Sequence, residues 1–251
     1  MTEAKKPPEN DSPADTSRRG FLKLMMALGI GAVTVGVARG AIQNIIPKSV
    51  GISSYPTLTL YNGSSGNPLH FTDLVVNNPA AVIFDYPLQN EPNFILRLGD
   101  VSGTDVAINP YTVQIPATGS SYKSPGGVGP YKSVVASSAI CQHLGCTPPS
   151  IHFYKPGTTI PNHPGHSGSN NTGFVNCSCH GSTYDPYHGF SVVTGPTRSP
   201  LPSVILAYDS TSDTFTVSSL VGPTIFGHTN NLTGGTPISS STETDVTSIS
   251  T

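Results

Sequence analysis

Charged side chains are scarce in this sequence. Asp, Glu, Lys and Arg make up only 10% of the 251 residues, and the formal net charge is −2. Nucleic-acid binding needs a clustered basic face, and nothing here provides one, so no nucleic-acid partner is expected. Cysteine is equally sparse. Four Cys are too few for a disulfide scaffold in a chain of this length. None lies in the N-terminal half, and all fall between residues 141 and 179, which marks a local site instead. Long helical periodicity is missing after residue 46, and so is any internal repeat. What is abundant is Gly and Pro, 26 and 24 of them, alongside many Ser and Thr. These residues punctuate short strands and do not extend helices. The length suits one medium domain, or a domain carrying a small insert. The low charge density would suit an acidic exterior, where carboxylates lose their charge; a plain secreted surface explains it as well.

Residues 1–16 are polar, with Lys5, Lys6, Pro7 and Pro8, and read as a disordered leader. Ser17-Arg18-Arg19-Gly20-Phe21-Leu22-Lys23 matches every specified position of the S-R-R-x-F-L-K twin-arginine export signal, an address read by a receptor. The apolar run Leu24 to Ala38 is short of the roughly 20 residues a bilayer span needs. It extends through Arg39, whose long side chain can snorkel, to Ile42, Ile45 and Ile46. Residues 17–46 are therefore expected to be a signal and a single N-terminal transmembrane anchor. Ala38-Arg39-Gly40 offers only a loose cleavage site. Positive charge before the run places the N-terminus in the cytoplasm and the remainder outside the plasma membrane.

Beyond the anchor the pattern is β. Thr57 to Tyr61 alternates, and Ala81 to Tyr86 is a more continuous apolar run. Phe94 to Leu98, Tyr111 to Ile115 and Tyr131 to Ala136 follow. Phe190 to Val193, Val204 to Tyr208 and Thr214 to Val217 complete the set, each bounded by turn residues. The stretch 236–251 is Ser/Thr-rich without a core pattern and is expected to be a flexible tail.

Two boxes carry the chemistry: Cys141-Gln142-His143-Leu144-Gly145-Cys146 and Cys177-Ser178-Cys179-His180-Gly181-Ser182-Thr183-Tyr184-Asp185. Each offers two thiols and an imidazole within six residues, so one loop can present two ligands to one centre. Gly145 and Gly181 allow the turns that bring sulfur and nitrogen inward. A four-ligand site leaves two of the six candidates over. An exported chain can join a spare Cys pair as a disulfide. Spacing does not say which two are spare. Two Cys and two His would also satisfy tetrahedral zinc, but these are not zinc-finger spacings and the leftover Cys pair would need explaining.

The boxes resemble the C-x-H-x-G-C and C-x-C-H-G-S boxes of Rieske iron–sulfur proteins. They are most similar to the Rieske subunits of quinol-oxidising cytochrome bc complexes. The resemblance implies one [2Fe–2S] cluster per chain, with Cys141 and Cys177 on one iron and His143 and His180 on the other. It implies a Cys146–Cys179 disulfide joining the two loops. It gives Ser182 a hydrogen bond to a bridging sulfide and Tyr184 one to the Cys141 sulfur, both raising the potential. Gly195-Pro196 would belong to a Pro-containing loop over the cluster, with Ser199-Pro200 behind. His in place of Cys on one iron removes negative charge and raises the reduction potential.

The implied architecture is an all-β Rieske fold. An antiparallel base would span 47–135 and 186–235. A smaller inserted cluster-binding subdomain would span 136–185. The gap between the boxes, 147–176, is long for such relatives and reads as a turn-rich surface insertion carrying His152, His163 and His166. His70, His188 and His228 read as ordinary turn or surface residues. The implied function is proton-coupled electron transfer from membrane quinol. The partners would be a cytochrome b-like subunit and a haem or copper acceptor, in the respiratory chain of an acidophilic archaeon. No independent catalytic pocket is expected. The competing function is the small electron-transfer subunit of an exported oxidoreductase resembling arsenite oxidase.

Overall fold

The computed structural model describes residues 53–159, 172–228, 235–239 and 244–249. The leader, signal and anchor expected over 1–46 lie outside these residues, as do His163 and His166. Among the described residues no helix is long and apolar enough to cross a membrane.

The described chain is all β apart from two single-turn 3-10 helices, Phe71–Asp73 and Pro186–His188. Its strands are β1 (Ser53–Thr59), β2 (Tyr61–Asn62), β3 (Asn67–Pro68), β4 (Ala81–Asp85), β5 (Pro92–Arg97), β6 (Tyr111–Ile115), β7 (Ser120–Ser124), β8 (Val134–Ser138), β9 (Ile151–Tyr154), β10 (Phe174–Cys177), β11 (Ser182–Asp185), β12 (Ser191–Thr194), β13 (Ser203–Asp209), β14 (Thr214–Val221) and β15 (Asp245–Ile249). A large sheet runs in the order β1-β14-β13-β8-β5-β4-β15-β2-β3, a small one in the order β12-β11-β10-β9, and β6 and β7 form a separate hairpin.

The two cores explain the sequence patterns. β5 and β8 pair antiparallel through Ile95 and Ala136, and through Leu96 and Val135. Side chains on a strand alternate faces. Ile95, Val134 and Ala136 join a core with Phe84, Val204, Phe215 and Val217. Phe94, Leu96 and Val135 point into a second core with Ile151, Phe153, Val175 and Phe190. A central strand buried on both faces reads as a continuous apolar run. Burial contributes about 1.5–3 kcal/mol for each large side chain in such a core. The second core carries residues of both sheets, so the small sheet is built onto the large one by packed side chains.

β8 delivers the chain to the first box. Its last residues, Ser137 and Ser138, are fully buried polar groups. The Ser138 hydroxyl accepts from the Ile140 N–H at 3.2 Å, turning the backbone toward Cys141. The return strand β13 begins beside this exit. Ser203 is opposite Ser137 in register, and the Ser138 N–H donates to the Pro202 carbonyl at 2.9 Å. The insert therefore covers 139–202, extending past residue 185. β11 continues through the Pro186–His188 turn into β12, which pairs back onto β11. Those residues belong to the small sheet and not to the base.

Two further expectations change. The insertion 147–176 is not loop throughout. β9 buries Ile151 and Phe153 on one face and pairs with β10, so its flanks extend the small sheet. The stretch 236–251 is not a patternless tail. β15 pairs antiparallel with β4 and parallel with β2. Val246 is buried, and the Thr244 hydroxyl donates to the Thr59 carbonyl at 2.7 Å. One buried apolar residue and backbone pairing on two sides make this a strand, and neither leaves a periodic trace.

Candidate metal centre

The two boxes occupy loops at one end of the small sheet. The first leaves β8 and closes on itself. The Cys141 N–H donates to the Cys146 carbonyl and the Gly145 N–H to the Cys141 carbonyl, both at 2.9 Å. The second lies in the tight β10–β11 connection, where the Gly181 N–H donates to the Cys177 carbonyl at 2.8 Å. Gly145 and Gly181 have φ of 79° and 81°, the left-handed region that a Cβ disfavours.

Cys146 and Cys179 form a disulfide between the loops, and Cys141 and Cys177 remain free thiols, both buried. The Sγ atoms of Cys146, Cys177 and Cys179 all lie within 4.8 Å of one another, so the brace stands directly beside a free thiol. The His143 and His180 rings are neighbours, with centroids 4.9 Å apart and planes at 82°. His180 is exposed and His143 partly so. Two imidazoles and two thiols thus come together from two loops 36 residues apart in sequence at their first Cys.

Tyr184 is fully buried behind the first loop, its hydroxyl 3.4 Å from the Cys141 sulfur. It also accepts the Gln142 N–H at 3.1 Å. With its one acceptor position facing that N–H, the phenol can donate to sulfur. Burial, then the neighbouring Cys141 charge, push the Tyr184 phenol up, so it stays a donor. A hydrogen bond from Cys177 brings the Cys141 thiol down to about 5 against burial, with Tyr184 helping. Cys177 is pushed up, because its proton is held by Cys141 and by burial. A bound metal would displace this shared proton, since the metal ligand is the thiolate.

The residues fit an iron–sulfur cluster. Sulfur and imidazole donors are the softer ligands such a centre takes. His143 Nδ1 and Ser182 Oγ are buried without a hydrogen-bond partner. Buried polar atoms are ordinarily satisfied, and these two fit a bound group at the boxes; Glu91 Oε2, Asn93 Oδ1, Gln142 Nε2 and Asn176 Oδ1 are likewise unpartnered. The Gly195-Pro196 loop lies against the second box. A Cβ on Gly195 would stand 2.5 Å from Ser182 Cα, so only glycine permits this approach. Behind it Thr197 is buried, its hydroxyl donating to the Ser199 carbonyl at 3.0 Å.

The other histidines stand elsewhere. His152 lies on β9, 4.2 Å from the Tyr154 ring centroid, with Nδ1 at 3.0 Å from the Pro149 carbonyl. His188 is exposed and pairs with Asp185 at 2.7 Å. His228 pairs with the buried carboxylate of Glu91. Two participants escaped the sequence reading. Gln142 acts through its backbone N–H, which no side-chain motif reveals. Phe226 reaches Gly145 from the segment after β14, and its only sequence signal is an aromatic in a turn.

A model of the Rieske [2Fe–2S] domain matches residues 101–205, which span both boxes and the Gly195-Pro196 loop. Among solved structures, the chain is similar to the soluble domain of the Rieske protein II (soxF) from Sulfolobus acidocaldarius. The two share 25% identity over 76% of this chain and 92% of that one, with a TM-score of 0.44. With a matching domain model, the disulfide between the boxes and sulfur and imidazole donors brought together at one end of a small sheet, residues 101–205 are those of a Rieske [2Fe–2S] domain, which implies a [2Fe–2S] cluster.

Proposed function

We propose that this protein transfers electrons in a membrane quinol-oxidising complex, with Cys141 and Cys177 holding one iron and His143 and His180 the other. The observation that carries the reading is the exposure of His180, beside His143, next to a sulfur that Tyr184 approaches from the buried side. When bound, the cluster supplies one-electron chemistry. The protein's own groups do the rest. Tyr184 and Ser182 would donate to sulfur and favour the more negative reduced state, which supports a high-potential centre. An exposed imidazole can take a proton as the electron arrives, and a quinol gives up both. The Cys146–Cys179 brace keeps the loops together as charge changes.

The partners in this reading are a cytochrome b-like subunit and a haem or copper acceptor outside the plasma membrane, with the chain anchored by its N-terminal segment. The test is a redox titration of the full-length protein across pH, with quinol oxidation assayed in membranes. The midpoint potential should fall by about 59 mV per pH unit where one imidazole loses its proton on oxidation, the one-electron value. A low, pH-independent potential without quinol reactivity would remove this function. Copurification of a cleaved, soluble form with a large molybdenum subunit would assign the chain to an exported oxidoreductase instead.

A further inference from the structure

The first cluster loop is approached from outside its own subdomain at Gly145. An ideal Cβ at Gly145 would stand 3.1 Å from Phe226 Cδ1 and 3.4 Å from Cε1. The ring edge therefore lies over the space above the left-handed turn, between His143 and Cys146. Phe226 comes from the segment after β14, in the base. That segment is held on either side of the ring. Ile225 is buried in the main core, at 4% exposure. His228 closes a turn by donating its N–H to the Ile225 carbonyl at 3.0 Å, and its ring pairs with Glu91. Glu91 is itself only 3% exposed, in the turn between β4 and β5. Asp85 of β4 is the other charged group acting on it. Phe226 nonetheless keeps 40% of its surface in solvent, and Leu144, which precedes Gly145 in the chain, is 57% exposed. An aromatic anchored on both sides, but half open itself, is placed for what it covers and not for its own burial.

We propose that Phe226 is a positioning residue for the cluster, a clamp through which the base holds the Gly145 turn and limits water beside Cys141 and His143. The proposal rests on the cluster-binding role of this loop. The loop's own hydrogen bonds, 141 to 146 and 145 to 141, close it but do not fix it to the base. The ring edge supplies that contact without a polar group. Its effect on the centre follows from solvation. An apolar cover disfavours the reduced state, which carries the extra negative charge, relative to water in the same place.

The test uses the cluster-loaded protein. Midpoint potential, the electron paramagnetic resonance spectrum of the reduced cluster and amide hydrogen exchange over 142–146 are compared across variants. Phe226→Ala should raise the potential, broaden the g-features and speed exchange at Gly145 at least tenfold. Phe226→Tyr, which keeps the ring edge, should restore all three. Glu91→Gln and His228→Ala loosen the anchor and should shift the potential the same way by less. Where Phe226→Ala does not retain the cluster, Phe226→Leu takes its place, with a smaller upward shift expected. A loaded variant without the ring whose potential and spectrum match wild type overturns the proposal, and so does a downward shift. Absence of a Rieske-type signal in the wild-type protein would instead strike the cluster reading on which it stands.

Discussion

Tyr184 and Ser182 differ in what they bring to the same sulfur environment, and that difference can be measured. Tyr184 accepts the Gln142 N–H and stands with its hydroxyl 3.4 Å from the Cys141 sulfur. Ser182 is buried with a free hydroxyl. In a one-electron couple, 1.4 kcal/mol of preference for the reduced state corresponds to about 59 mV. A hydrogen bond to a charged acceptor is worth about 1.5–3 kcal/mol, and only the difference between redox states counts. Tyr184→Phe and Ser182→Ala should therefore each keep the cluster and lower its potential by several tens of mV. Cys141→Ser or His180→Ala should abolish the visible iron–sulfur absorption altogether. An unchanged potential in both hydroxyl-deletion variants would remove the high-potential assignment. The Cys146–Cys179 disulfide and the Tyr184 contact with Cys141 were legible in the sequence because the motif fixes residue type and spacing together. The roles of Gln142 and Phe226 were not, because one acts through the backbone and the other through a contact 81 positions along the chain.

At the level of strands, the legible ones were those whose side chains carry the signal. Tyr111–Ile115 alternates and forms β6 over those same residues. Val204 to Tyr208 and Thr214 to Val217 sit inside β13 and β14. β7, Ser120–Ser124, is mostly Ser and Lys around one buried Tyr122, and it is recruited by the hairpin with β6. β15 is the sharper case. Its strand character comes from pairing with β4 and β2, since Thr247 to Ile249 oppose Ile83 to Ala81. Only Val246 is deeply buried. Val246→Ser exchanges a buried side chain for an unpartnered hydroxyl and should cost about 2 kcal/mol. Ser248→Ala, at an exposed position, should cost little. Denaturant midpoints of the two variants check this. Equal midpoints would mean β15 adds nothing to the base. The long insertion follows the same logic: β9 is set by Ile151 and Phe153 reaching the second core, while the cluster boxes on either side hold its ends.

Scarce charge has a consequence for the molecule as a whole, because the few carboxylates that matter are pulled in opposite directions. Asp105 accepts two hydrogen bonds from Arg97, at 2.9 and 2.7 Å, and the guanidinium is its main reason for sitting below the ordinary carboxylate value of 3.8. A depressed carboxylate stabilises the fold above its unfolded value and loses that contribution as pH falls through the folded one. Glu91 and Asp85 run the other way. Burial raises both, and for Glu91 it outweighs the attraction of His228. A raised carboxylate contributes fully below its unfolded value, 4.5 for Glu91, and loses the contribution as pH rises through its folded value. The Asp105 and Glu91 effects overlap in a window between 3.8 and 4.5, while Asp85 contributes fully only below 3.8 and loses its share above it, so stability should be greatest on the acid side of neutrality. Self-repulsion opposes this as carboxylates protonate, but 12 Lys and Arg and 8 His spread over 251 residues give a low charge density. Denaturant unfolding at pH 4 should therefore show a midpoint no lower than at pH 7, with a fall as pH drops below 3.8. Glu91→Gln should flatten the limb between pH 4.5 and neutrality. Asp105→Asn should lower stability at pH 7 by about 3 kcal/mol, as expected for breaking a largely buried pair, and flatten the limb below pH 3.8. A midpoint that drops steadily from pH 7 to pH 4 in the wild-type protein would show that burial of Glu91 and Asp85 does not govern its response to acid.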